Sequence, residues 1–148
     1  MFRSILSMLA FVAALAVNPA SSTERPPATL YKNPQCGCCE QYANYLRSNG
    51  FTVKVVPTHN LSLIRRQVGV SIPEKLEGCH TMFIDKYVVE GHVPLKTLDK
   101  LLTERPAIRG ISLPGMPDGS PGMTGQKTEP FTIYEIGSDA DPRVYATE

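Results

Sequence analysis

The chain has 148 residues, 42% of them hydrophobic, 7% aromatic and 20% charged, with 15 Lys+Arg set against 14 Asp+Glu. This length suits one compact domain with a sizeable core and argues against a second. The near-neutral balance lacks the clustered basic surface that nucleic acid requires, and no polybasic membrane patch is visible.

Arg3 precedes an apolar run over residues 5–17, which Asn18, Pro19 and Ser21-Ser22-Thr23 then break. The pattern reads as a secretory signal peptide over 1–20. Ala14-Leu15-Ala16 favours cleavage after Ala16, with a site at 20–22 as the alternative. At about 13 residues the run falls short of the roughly 20 that a membrane-spanning helix needs. Loss of Arg3 leaves 14 Lys+Arg against 14 Asp+Glu, a mature charge of zero with neutral histidines. The mature product is expected in the periplasm or outside the cell, with no membrane association.

Residues 29–32 read as a short strand, stopped by Asn33-Pro34 because proline donates no ladder hydrogen bond and restricts the residue before it. Cys36-Gly37-Cys38-Cys39 follows at once. From Cys39 the spacing of Tyr42, Ala43 and Leu46 gives one apolar helical face, and Asn49-Gly50 supplies the stop, so the thiols sit at or just before a helix N-terminus. Residues 51–56 alternate as a strand, and Asn60 caps a helix over about 61–68. Residues 81–85 and 87–90 form a hairpin, with Glu90 at a solvated strand end. Pro94 opens a last helix whose Leu95, Leu98, Leu101 and Leu102 share a face to about Arg105. Beyond Pro106 the composition turns to Gly, Pro, Ser and Met over 110–125. The order βαβα then ββα, with thiols where the first strand meets the first helix, predicts a thioredoxin-like α/β domain. It spans 28–137, has a central mixed sheet flanked by helices and a Gly/Pro/Met-rich extension, and is followed by a tail over 138–148.

The chain has four cysteines, and Cys79-His80 holds the fourth. Pairing Cys38 with Cys39, or Cys36 with Cys38, closes a strained small ring, so only Cys36–Cys39 with Cys38–Cys79 avoids both. A helix N-terminus favours thiolate over thiol and lowers a cysteine pKa below about 8.5. Cys79 precedes the strand that should bring it, with His80, toward the other three sulfurs. Soft thiolates suit Cu(I) and Zn(II), and a C-x-C pair holds Cu(I) at low coordination number or bridges two coppers. The three-plus-one distribution is a poor match to the two C-x(2–4)-C pairs of structural zinc, so copper leads. A thiol–disulfide oxidoreductase using Cys36 to attack and Cys39 to resolve is the rival reading, with Cys38 and Cys79 as competing thiols. His80, His92, Met116 and Met123 are secondary ligand candidates. The two methionines lie seven residues apart in a loop that cannot be a regular helix, and thioether sulfur also suits Cu(I). His59 reads as a surface residue and Met82 as core.

Four motifs in order resemble the CopG-like copper-resistance family, long catalogued as a domain of unknown function. They are Asn33-Pro34-Gln35-Cys36-Gly37-Cys38-Cys39, Gly78-Cys79-His80-Thr81, Glu90-Gly91-His92-Val93-Pro94, and Pro114-Gly115-Met116-Pro117 with Gly119-Ser120-Pro121-Gly122-Met123. The match runs over about 30–136. It implies an exported bacterial thioredoxin-like protein that binds Cu(I) at Cys36, Cys38, Cys39 and Cys79, as a multicopper cluster in one form. It also implies a role in copper redox chemistry or handling and a periplasmic efflux or redox partner. An oxidoreductase, a chaperone and a buffer would all need these same ligands.

Overall fold

The computed structural model describes residues 24–67, 69, 71–137 and 141–148. The apolar N-terminal run and every cleavage site read from it lie outside the described residues. No helix among the described residues is long and apolar enough to cross a membrane.

The elements run β1 (Ala28–Lys32), α1 (Gly37–Ser48), β2 (Val53–Pro57), α2 (Leu61–Gln67), a 3₁₀ turn (Glu74–Leu76), β3 (His80–Ile84), β4 (Tyr87–Gly91), α3 (Leu95–Glu104), β5 (Gly110–Leu113), β6 (Thr132–Ile136) and β7 (Val144–Thr147). They form one mixed sheet of seven strands in the order β2-β1-β3-β4-β5-β6-β7. β1 pairs parallel with β2 through the α1 crossover, and β4 parallel with β5 through α3. The remaining pairings are antiparallel.

The two faces of the sheet carry different cores. Leu30, Met82, Ile84, Val89, Ile111 and Ile133 pack with Tyr42 and Leu46 of α1 and Leu98 and Leu101 of α3. Val88, Phe83 and Ile136 point the other way and pack with Leu76 and Ile72. Successive residues of β3 and β4 thus feed opposite cores, and both faces of the central strands are covered. Burying each large aliphatic side chain contributes about 1.5–3 kcal/mol relative to exposure.

The C-terminal third departs from the sequence reading. Gly110–Leu113, where the composition predicts the start of a Gly/Pro-rich extension, is a fully buried strand. Glycine opens it because a Cβ at residue 110 would overlap the Val88 carbonyl. β6 and β7 had no predicted counterpart. β7 lies within the stretch read as a tail, and paired bonds between Phe131 and Glu148 close it onto β6. The 3₁₀ turn was also unforeseen.

Candidate metal centre

Strand directions gather the chemistry at one end of the sheet. β3 runs antiparallel to β1 with Lys32 opposite His80, so the residue entering β3 meets the loop leaving β1. β4 returns alongside β3 with Glu90 opposite Thr81, which carries His92 back to the same end. β5, parallel to β4 with Gly91 opposite Leu113, delivers the Gly/Pro/Met loop there as well. Four segments distant in sequence therefore converge.

The first contributes Cys36 as N-cap of α1, and Cys38 and Cys39 in its first turn. The Cys36 side chain accepts from the Cys39 N–H at 3.3 Å, taking up one of the helix's free donors. Cys36 and Cys39 form a disulfide with Cα atoms 5.4 Å apart, while Cys38 and Cys79 are free thiols. Of the two pairings that avoid small rings, one is made. Beneath this loop the buried Lys32 ammonium donates to the carbonyls of Asn33 (3.3 Å), Pro34 (3.3 Å) and Cys36 (3.2 Å). No sequence signal marks that role, because Lys32 reads as the last residue of an ordinary strand.

Cys79 brings the fourth sulfur. Its Sγ lies 3.4 Å from Cys39 Sγ, and Cys36 Sγ lies 3.5 Å from Cys38 Sγ; all four sulfurs fall within 4.8 Å of one another. Cys39, Cys79, His80 and His92 form a second such group, sharing two sulfurs with the first. Cys79 Sγ is 3.2 Å from His92 Nε2 and 3.6 Å from His80 Nδ1. His92 Nδ1 sits 2.6 Å from the Pro121 carbonyl, which can only accept, so Nδ1 carries the hydrogen and Nε2 turns its lone pair to the sulfur. Burial pushes the Cys79 thiol up to about 12, with the neighbouring Cys38 charge adding to the effect. Burial likewise lowers both imidazoles, His80 to about 3 with help from His92. The centre thus offers neutral nitrogens and a thiol that gives up its proton when a cation takes the sulfur.

Tyr42 fills the space between the histidines and α1. Its ring stacks on His80 at 4.9 Å and tilts against His92 at 5.1 Å, and its hydroxyl donates to the Val93 carbonyl at 2.8 Å. His80 Nε2 is buried without a hydrogen-bond partner among the described residues, while Nδ1 faces the Cys79 sulfur. A soft cation that takes both nitrogen and sulfur fits the space between Cys39, Cys79, His80 and His92.

Glu90 is not at a solvated strand end. It is fully buried on the opposite face of the sheet, paired with Arg65 at 2.8 Å and accepting from Thr81 Oγ1 at 2.6 Å and the Gly78 N–H at 2.8 Å. Burial raises its carboxyl above the usual range while these bonds hold it down. β4 lies between two strands with both faces covered, so alternation could not mark position 90 as exposed. Arg65 went unread too, although Leu61, Ile64 and Arg65 fall at i, i+3 and i+4 and so share the inner face of α2.

The loop after β5 packs over α1, where Gly122 has φ +81° and a Cβ would collide with the Tyr42 backbone. Turn bonds from Ser120 to Pro117 and from Met123 to Ser120 hold it in shape. Met123 is half-buried beside this contact and Met116 is exposed at φ 48°. His59 is exposed, and Met82 lies in the core.

A family model described as a protein of unknown function, DUF411, matches residues 76–123, which span Cys79, both histidines and the loop. No curated protein matches the chain. Two solved structures, described as forms 1 and 2 of the copper resistance protein CopG, each share 32% identity with it at a TM-score of 0.74. Each match covers 84% of this chain, and 99% of the form 2 chain or 98% of the form 1 chain.

Proposed function

The chain belongs to the CopG copper-resistance family, and from that premise we propose that it binds Cu(I) in the periplasm through Cys36, Cys38, Cys39 and Cys79 as part of copper resistance. The observation that carries this reading is the convergence of four sulfurs within 4.8 Å. Thiolate is the preferred ligand of Cu(I), and sulfur bridges neighbouring coppers. Cys39 and Cys79 belong to both ligand groups, the all-sulfur one and the one with His80 and His92, and this sharing supports a cluster of more than one copper. Met116 and Met123 are accessory thioether candidates on the covering loop. We read the βαβα and ββα order from β1 to α3 as the thioredoxin-like arrangement of a domain over 28–137, with its Gly/Pro/Met-rich segment as the extension, 138–148 as a tail and residues 1–20 as the export signal.

The Cys36–Cys39 disulfide favours a redox component in the same site. Oxidation of two thiolates to a disulfide releases two electrons, enough to reduce two Cu(II) to Cu(I), and withdraws two ligands at once. Reduction restores the four-thiol set. A periplasmic reductant or copper-efflux partner would complete the cycle. A thiol–disulfide oxidoreductase working through Cys36 and Cys39 without metal is the second reading, carried by that same disulfide.

Anaerobic Cu(I) titration of the reduced protein against a competing chelator, with X-ray absorption at the copper edge, separates the two. Tight binding of more than one copper through sulfur, strongly weakened by Cys38→Ser, is expected. Weak binding indifferent to Cys38 would sink the copper reading and leave disulfide exchange.

A further inference from the structure

The sulfurs on α1 are placed by a helix, but Cys79 lies in an irregular stretch between the 3₁₀ turn and β3. Ladder pairing of β3 starts at His80 on one side and Thr81 on the other. The backbone just before Cys79 has therefore left the sheet. Its polar groups are met by side chains instead: the Gly78 N–H donates to Glu90 Oε2 at 2.8 Å, and the Gly78 carbonyl accepts from Arg65 Nη2 at 3.1 Å. Arg65 further donates to Glu77 Oε2 at 2.6 Å, to Thr81 Oγ1 at 3.0 Å and to both oxygens of Glu90 at 3.2 and 2.8 Å. One guanidinium thus holds residues 77, 78 and 81, bracketing Cys79-His80 from both sides. It does so from the sheet face opposite α1 and touches none of the sulfurs.

We propose that Arg65, with Glu90 as its buried counter-ion, is the positioning residue of Cys79: the pair extends the sheet by side chains where the ladder ends and so holds the trailing sulfur against Cys39. This rests on the copper reading for its purpose, since a ligand held in advance binds metal without first being ordered. Its geometry, however, is testable with no metal present. Arginine is required because a planar fork can serve four acceptors at once, whereas lysine presents a single point of charge.

The test uses the full chain in a Cys36→Ser/Cys38→Ser background, where Cys39 and Cys79 are the only thiols. Diamide takes two electrons and two protons from that pair. The resulting disulfide joins tryptic peptides 33–47 and 76–86, a product that mass spectrometry counts against the alkylated free peptides. Rapid joining is expected in the background protein, and at least tenfold slower joining after Arg65→Lys, which keeps a cation beside Glu90, or after Arg65→Met/Glu90→Gln, which removes both charges. Thr81→Val should slow it severalfold, and these milder variants decide the matter if the double one does not fold. Ile133→Ala, a destabilised core control on β6, should stay within twofold.

An unchanged rate in folded Arg65→Lys overturns the proposal, and so does equal slowing by Ile133→Ala, because the effect would then be general loosening. Cu(I) titration of the Arg65 variants with all four cysteines present is read separately. Failure of the parent protein to bind copper removes the copper reading and leaves the positioning result standing.

Discussion

Two halves of one centre are built by different means. Cys36, Cys38 and Cys39 arrive on the cap and first turn of α1, so their spacing is fixed within four residues by helix geometry and by the Cys39 N–H on the Cys36 sulfur. Cys79, His80 and His92 arrive from the mouth of β3 and the end of β4, and their placement depends on strand register and on a buried ion pair contributed by α2. A local half tolerates distant damage, whereas a half assembled by topology does not. A ligand set drawn from both can be dismantled from either side, with different consequences for stability.

The strand half should be the more fragile. Glu90→Ala removes the buried one of Arg65's two carboxylate partners, leaving it only the half-buried Glu77, and strips the acceptor from Thr81 Oγ1 and the Gly78 N–H, a break that costs up to about 3–5 kcal/mol. A loss of that size in guanidinium unfolding is expected. Arg65→Met with Glu90→Gln should recover most of it, because neither residue then leaves a buried charge. Loss below about 1 kcal/mol for Glu90→Ala would mean that the pair contributes little and that the halves are alike.

Lys32→Met probes the helix half in the corresponding way. It strips one donor from three carbonyls of the loop leading into α1, and a loss of about 1–3 kcal/mol is expected by chemical unfolding. The α1 helix itself should persist, so far-UV circular dichroism should be unchanged at temperatures below the transition. A loss as large as that of Glu90→Ala would erase the distinction between the two halves.

Acid separates the halves through His80. Its folded pKa of about 3 lies below the unfolded value near 6.5, so between these limits the unfolded chain holds the extra proton. Stability therefore rises with pH up to about 6.5 and falls as pH drops toward 3, by up to about 1.4 kcal/mol per unit for one proton. His92, also lowered by burial, adds in the same direction, while Glu90, raised by burial, opposes them above its ordinary value. In metal-free reduced protein, melting temperature should decline from pH 6.5 to 5, and His80→Phe, which keeps a ring against Tyr42, should flatten the decline by about one proton. An unaltered slope would place the titration elsewhere.

Legibility followed the same division. The helix half could be read from the chain because its signals are short-range: Asn33-Pro34 ends a strand, the cysteines follow at once, and Tyr42, Ala43 and Leu46 keep the helical period from Cys39. The opening strands, the hairpin at Asp85-Lys86 and the α3 stripe were legible for the same reason. Cys79 and His80 could be placed beside the other thiols from the strand that follows them, whereas His92 could be named but not placed, since strand register and order bring it in. Lys32, Arg65 and Glu90 were invisible as a set. Each is a charged residue that ordinarily faces water, and only the covering of both sheet faces makes burial the rule here. β5 was hidden because its first residue is the glycine that lets β4 approach, a composition that reads as a loop.

The smallest effect on stability should come from the site's most prominent residue. Besides closing the disulfide, Cys36 does two things in the structure, accepting the Cys39 N–H as a helix cap and presenting a sulfur to its neighbours. Cys36→Ser separates them, because serine is a preferred cap and its hydroxyl can take over that acceptor role. Stability of the reduced protein should therefore shift by no more than about 0.5 kcal/mol, while sulfur coordination measured at the copper edge falls. A large loss of stability would show that the thiol contributes packing that a hydroxyl cannot. Retained copper affinity would show that Cys38, Cys39 and Cys79 suffice, moving the weight of the site toward the strand half and its histidines.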